Sequence, residues 1–196
     1  MKEIDYKNYY WRNELVRLRP LRIDDWEEQY YNKFDSYARR LLKFEIELPP
    51  SIDLEKKNTE LFTNFNRHEG RTMFGVENLK GDFVGSINLF NIDDKNGTFT
   101  IGVIIGTEYR GNGFGTAAMR ILLRFAFCER RLNKFHSTVL EENIASITML
   151  RKIGCIEEGK VSQMVYTDGK YLDLILLGLT KDVFVKNENC ERQSSD

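Results

Sequence analysis

Histidine and cysteine are scarce in these 196 residues: there are two histidines, His68 and His136, and three cysteines, Cys128, Cys155 and Cys190. None of their spacings fits a metal-ligand pattern, which argues against a structural zinc or an iron–sulfur centre. Three scattered cysteines also make no disulfide framework, so the expectation is a reduced, cytoplasmic protein without a metal. No apolar run approaches the ~20 residues that a bilayer span needs. The opening stretch, MKEIDYKNYYWRNE, has no apolar segment of the signal-peptide kind. An excess of charge of one sign is missing too. With 29 basic against 30 acidic side chains the net charge is −1, and no global field draws the chain to nucleic acid or to an anionic membrane.

What is present reads as one α/β domain without internal repeats or linkers. LVRLRPL, residues 15–21, alternates apolar and charged side chains like a first strand. Asp24 and Glu27 are spaced as a capping box for a following helix, and YARRLLKFE continues in helical style. Pro49 and Pro50 interrupt. Ser51 or Asp53 then caps a third helix, predicted to carry Leu54, Leu61, Phe62 and Phe65 on one side and to end before Gly70. From Arg71 the period becomes that of strands. RTMFGVE, DFVGSINLF and GTFTIGVII form an antiparallel meander, with Asn96-Gly97 as its clearest turn. After a glycine-rich turn come a helix, the strand KFHSTVL, the helix NIASITMLRKIG between Asn143 and Gly154, and a hairpin around Asp168-Gly169. The last residues, KNENCERQSSD, have little to bury and read as a disordered tail.

The glycine-rich turn, EYRGNGFGTAAM, carries the chemistry. A Walker loop needs a lysine after its last glycine, and Gly115 is followed by Thr116-Ala117. The dinucleotide fingerprint needs G-x-G-x-x-G in an initial βαβ unit. Glycines 111, 113 and 115 give G-x-G-x-G, after a meander. What remains is R-x-x-G-x-G, Arg110 to Gly115, leading into a helix. Bare glycines let successive N–H groups converge on an anion, and the helix N-terminus adds partial positive charge. A tight strand-to-helix turn, with glycines serving only positive φ, is the plainer alternative.

With ENIASITMLRKIGC some thirty residues later, this loop resembles the GNAT superfamily of acetyl-CoA-dependent N-acetyltransferases, over about Leu15 to Leu179. LRPLRIDD, VGSINLF and YTDGKYLDLILLGL are similar to the ribosomal-protein (alanine) N-acetyltransferase type, with spermidine N-acetyltransferases nearby. The resemblance implies a central mixed, mostly antiparallel sheet of about seven strands flanked by helices and splayed at the strand before the glycine loop. It implies one acetyltransferase domain over residues 1–184, and a polar tail over 185–196.

The resemblance further implies that Arg110, Gly111, Asn112, Gly113, Phe114, Gly115 and Thr116 hold the pyrophosphate of acetyl-CoA. Val103, Ile104 and Ile105 would lend backbone groups to the pantetheine, and Asn143 and Ser146 would contact that arm, both also being candidate catalytic residues. No metal is implied. The acceptor would be an amine: a peptide N-terminus, a polyamine or a small molecule. Nucleic acid and membrane are not expected partners, and the protein would be a monomer or a homodimer.

Two departures bear on mechanism. Leu150 stands where many relatives carry the tyrosine that protonates the leaving thiolate, and Thr100 stands where many carry a glutamate base. Both leave open a silent CoA-binding module as the alternative to an enzyme. Cys155 replaces an aromatic and reads as packing. The N-terminal helices, with Trp26, Tyr30, Tyr31, Phe34, Tyr37 and Phe44 beside Asp24, Asp25, Glu27 and Glu28, are the expected wall of the acceptor pocket. A packed amphipathic helix explains the same residues.

Overall fold

The computed structural model describes residues 4–63, 65 and 70–193, with side chains through residue 188. His68 and the side chain of Cys190 lie outside this description. The strands are β1 (Val16–Pro20), β2 (Thr72–Asn78), β3 (Phe83–Asp93), β4 (Thr98–Ile105), β5 (Lys134–Leu140), β6 (Ile156–Thr167) and β7 (Lys170–Thr180). They form one seven-stranded sheet in the order β1-β2-β3-β4-β5-β7-β6. Every pairing is antiparallel except β4 with β5. The expected fold class is therefore the observed one. The meander turn holds Gly97 at φ 67 and closes with the Gly97 N–H donating to the Asp93 carbonyl. The last hairpin turns through Asp168 and Gly169 at φ 55 and 74, the mirror-image turn geometry that matches strand twist.

The helices are α1 (Trp26–Asn32), α2 (Ser36–Lys43), α3 (Ile52–Leu61), α4 (Phe114–Arg124), α5 (Ile144–Lys152) and α6 (Lys181–Gln193). A five-residue π-helical turn, Phe125–Glu129, extends α4. Helix α4 buries Ala117, Ala118, Met119, Ile121, Leu122 and Leu123 in its 11 residues, the wide apolar stripe of a helix laid on a sheet. Phe99, Phe127 and Phe135 are fully buried beneath it and stack, Phe99 against Phe127 at 5.3 Å and against Phe135 at 5.8 Å.

Several expectations need correction. The first helix is not capped by Asp24. Asp25 accepts from the Arg22 N–H at 2.7 Å and closes a 3-10 turn, Ile23–Asp25, ahead of α1. Ser51, one of the two candidates, does cap α3 through the Leu54 N–H. Yet α3 buries Glu55 and Thr59, while Leu54 and Leu61 stay exposed. Glu55 tolerates burial because Lys33, just after α1, reaches it at 2.5 Å, and an apolar periodicity count cannot foresee a buried polar seam. From residue 185 the expected tail continues α6 as far as Gln193, and residues 194–196 lie outside the description. Phe184, in the first turn of α6, packs on Phe127 at 5.3 Å and is 2 % exposed. That anchor tethers a helix whose later residues are polar.

Candidate active site

Strands β4 and β5 pair through two rungs, Thr98↔Lys134 and Phe99↔Phe135. Both strands run on, β4 to Ile105 and β5 to Leu140, but they part company. Residues 100–105 keep their register with β3 on the other side. The aromatic pair in the core holds the last rung shut, and the gap above it is a slot with an unpaired strand edge along one wall. Unpaired backbone groups are costly unless something supplies hydrogen bonds.

The side of the slot toward β3 depends on one glycine. Gly85 sits at φ 156, and a Cβ there would lie 2.1 Å from the Ile104 carbonyl oxygen. Only glycine permits β3 to press so closely against the end of β4.

The slot is lined by Ile101, Gly102 and Val103 from β4, by Ser137, Thr138 and Val139 from β5, and by Met119 from α4. Asn143, Ser146, Met149 and Leu150 close it from α5, and Leu41, Leu42 and Phe44 from the end of α2. The lining is mostly apolar, with the hydroxyl and amide groups of Ser137, Thr138, Asn143 and Ser146 among it. Asn143 and Ser146 thus come together as expected. The Asn143 Oδ1 accepts from the Ser146 N–H at 3.1 Å and caps α5, and its Nδ2 points to the Leu41 carbonyl at 3.5 Å. Val103 lines the slot directly. Ile104 and Ile105 continue the strand and are half-buried.

At the open end of β4 the chain makes a 3-10 turn, Thr107–Tyr109, and then the glycine turn. Gly111 and Gly113 have φ 81 and 80, so both use the left-handed region that glycine reaches without strain. Residues 110–113 are exposed. The first bond of α4 runs from the Ala117 N–H to the Gly113 carbonyl at 3.0 Å, so the N–H groups of Phe114, Gly115 and Thr116 precede any intrahelical acceptor. These amides and the helix dipole make a cradle suited to an anion. Gly115 lies against Met149 and Ile105, 3.3 and 3.5 Å from a would-be Cβ, so the turn and the slot adjoin.

The Arg110 side chain does not extend over this cradle. Its Nε donates to the Ile105 carbonyl at 3.0 Å and its Nη1 to Asp35 at 2.7 Å. Asn112 likewise turns inward, to the carbonyls of Tyr109 and Arg110. Leu150 is 2 % exposed and Cys155 5 %. Burial pushes the Cys155 thiol up to about 12, which makes it a packing group and no nucleophile.

The expected acceptor wall divides. Asp25 is buried, bound at 2.8 Å through each oxygen to Arg19. Tyr31, Phe34 and Tyr37 are exposed. Glu28 is shifted up by partial burial and by the nearby carboxylates of Glu108 and Glu27, so an acidic patch lies where α1 meets the turn after β4. Sequence reading missed Asp35, Leu41 and Leu42, and of the expected acceptor wall Phe44 alone lines the slot. The position of α2 over the slot is a tertiary fact with no local signal, although VGSINLF already contained both Gly85 and Asn88.

A larger, open groove lies between the N-terminal segment and α4, lined by Tyr6, Tyr9, Arg12 and Arg124 among others. It shares no lining residue with the slot and has no glycine turn. Among the described residues no group of three or more metal-binding side chains occurs, and no helix is long and apolar enough to cross a membrane.

Comparison with known proteins agrees with this geometry. Residues 16–156 match the acetyltransferase (GNAT) domain. The SPbeta prophage-derived N-acetyltransferase YokL of Bacillus subtilis is 31% identical over 180 residues, 91% of this chain and 97% of that protein. The spermidine N(1)-acetyltransferase of Escherichia coli is 27% identical over 160 residues, 82% of this chain and 83% of that one. YdaF of Bacillus subtilis, named as a ribosomal N-acetyltransferase, is 37% identical over 101 residues, 52% of this chain and 55% of its own. Among solved structures, spermidine N-acetyltransferase from Vibrio cholerae in complex with CoA and spermine superposes with a TM-score of 0.75 at 22% identity, over 88% of this chain and 99% of that one. The slot, the glycine turn and the family match converge: the chain belongs to the GNAT acetyltransferases, acyltransferases that use acetyl-CoA as co-substrate.

Proposed function

We propose that this protein moves the acetyl group of acetyl-CoA to a primary amine by direct attack within a ternary complex. The amides of residues 110–116 hold the pyrophosphate. The edge of β4 at Val103, Ile104 and Ile105 accompanies the pantetheine, and Asn143 and Ser146 flank the thioester end. The observation that carries the reading is the junction of an exposed glycine turn with a slot whose wall is an unpaired strand edge. An extended chain bearing amides fits that edge, and a pyrophosphate fits the turn.

The amine must be neutral to attack. Deprotonating a lysine-like amine at pH 7 costs about 4.6 kcal/mol, and an α-amine about 1.4 kcal/mol, at ~1.36 kcal/mol per pH unit. With Thr100 and Leu150 in place of a carboxylate and a phenol, the smaller cost favours a peptide α-amine. Positioning of two reactants supplies ~7–11 kcal/mol in favourable cases, and this does not require the missing groups. A polyamine acceptor is the second reading, supported by the patch of Glu27, Glu28 and Glu108 and by the spermidine relatives.

The test is a calorimetric titration with acetyl-CoA, with ATP and NAD as controls, on the wild type and on Gly113→Trp, which fills the turn. Saturable acetyl-CoA binding that Gly113→Trp abolishes is the expected result. A panel of peptides with free N-termini and of polyamines, read by free-thiol release, then identifies the acceptor class and excludes a silent CoA-binding module. Heat with ATP or NAD and none with acetyl-CoA contradicts the reading.

A further inference from the structure

We infer that the acceptor amine binds on the face of the splay that carries Asn88, Gly102, Thr100 and His136, and that His136 takes its proton. This rests on the acetyl-transfer reading above and supplies the base which that reading lacks.

Three observations carry it. The β4–β5 ladder ends at Phe99↔Phe135. The next residue on each strand, Thr100 and His136, meets its neighbour through side chains, Oγ1 to Nε2 at 3.4 Å. A cofactor lying with its pyrophosphate at the glycine turn runs down the slot toward this point, so a hydroxyl and an imidazole flank the place where its acetyl group ends.

The second observation is a vacancy of side chain. Gly102, two residues beyond Thr100 on the same face, pairs with Asn88 of β3. A Cβ at Gly102 would come within 3.0 Å of the Asn88 Nδ2. Glycine here keeps open the ground between Asn88 and the slot.

The third is an orphaned atom. The Asn88 Oδ1 is buried and has no hydrogen-bond partner among the described residues. A buried acceptor without a donor is disfavoured, and an amine N–H supplies that donor while holding the nitrogen lone pair toward the carbonyl carbon.

The charged groups nearest His136 have partners of their own. Lys134, two residues earlier on β5, is paired with Glu158 of β6. The Glu158 carboxylate lies over Gly178, the β7 residue directly across from His136. Arg71 stacks on Phe90, which is the β3 partner of Thr100. Lys134 and Glu158 satisfy each other, and His136 is exposed to an incoming substrate.

The amine lone pair forms the C–N bond, and the carbonyl π pair moves to oxygen. One N–H proton passes to Thr100 Oγ1 as the Thr100 hydroxyl proton passes to His136 Nε2. The intermediate collapses, the C–S bond breaks, and its electron pair leaves on sulfur. The imidazolium then returns the proton to the thiolate through water, and His136 is neutral again.

The test uses His136→Gln and Asn88→Ala in the thiol-release assay, with the best acceptor among spermidine and a peptide with a free N-terminus, beside acetyl-CoA calorimetry. Acetyl-CoA affinity is expected to stay within about twofold in both variants. His136→Gln should lower kcat/KM for the amine about 10²-fold and make its rise with pH shallower, leaving only the rise that deprotonation of the amine itself causes. Asn88→Ala should raise the acceptor KM about tenfold and keep the wild-type pH profile. Adding Thr100→Glu to His136→Gln should restore part of the rate, because a carboxylate then stands at the same point. Undiminished rate and an unchanged pH profile in His136→Gln overturn the proposal. So does a wild type that binds acetyl-CoA while neither spermidine nor peptide moves the His136 ring resonance in the CoA complex, a signal that the His136→Gln spectrum identifies. A wild type that binds no acetyl-CoA removes the reading underneath.

Discussion

Arg110 in the glycine turn donates from Nη1 to the Asp35 Oδ2 at 2.7 Å, across 75 positions of sequence. Asp35 is the N-cap of α2, where its Oδ1 accepts from the Ala38 N–H at 3.0 Å, and the Thr107 hydroxyl donates to it at 3.2 Å. One carboxylate thus joins the helix that covers the slot to the turn that ends it. The Ala38 amide first, and then Arg110 and Thr107, hold Asp35 below the usual carboxylate range.

Replacing Asp35 by Ala removes a cap worth about 1 kcal/mol. Its half-open ion pair adds less than ~1 kcal/mol. The sign with pH follows from a lowered carboxylate. Its stabilisation is fully present above the unfolded value of about 3.9 and is lost as pH falls through the lower folded value. Urea midpoints should therefore differ between wild type and Asp35→Ala at pH 5 to 7, and converge toward pH 3.

Gly85→Ala is expected to cost at least about 3 kcal/mol, since its Cβ meets a backbone carbonyl at 2.1 Å and no side chain can yield. Chemical denaturation measures this. The surviving folded fraction should bind acetyl-CoA weakly, because β4 must shift.

Much of this was legible in the sequence, and for physical reasons. Alternation in TFTIGVII, the Asn96-Gly97 and Asp168-Gly169 turns, and the R-x-x-G-x-G loop are local signals, and each lies in the structure where local chemistry put it. What the sequence hid was relational. Glu55 and Thr59 are buried because Lys33, just after α1, and Gln29 of α1 meet them. Asn143 reads equally as a cap and as a slot residue because it is both. His136 and Thr100 are 36 positions apart, and their meeting depends on strand register alone. The polar residues after 185 form helix because Phe184 ties their start to the core.

Glu77, 3 % exposed, accepts from the Nε of both Arg17 and Arg19, and Arg19 reaches on to Asp25. The network fixes the turn that leads from β1 into α1. Glu77→Ala leaves a buried guanidinium short of a partner and should cost about 3–5 kcal/mol in equilibrium unfolding. Replacing the exposed Glu27 should cost less than about 0.5 kcal/mol.

The thiols should separate sharply. Cys128 is exposed and Cys155 buried, and that burial pushes the Cys155 thiol up to about 12. In a Cys190→Ser background, a thiol-specific chromogenic reagent at pH 8 should titrate one group in the folded protein and two after denaturation.

The most direct measurement is an amide ¹H–¹⁵N titration of the labelled protein with acetyl-CoA. The account predicts the largest shifts at Gly102, Val103, Ile104 and Ile105 and at residues 111–116, with smaller ones at Asn143 and Ser146. Saturable binding that leaves those amides unmoved and shifts the Tyr6, Tyr9 and Arg124 groove instead would contradict it.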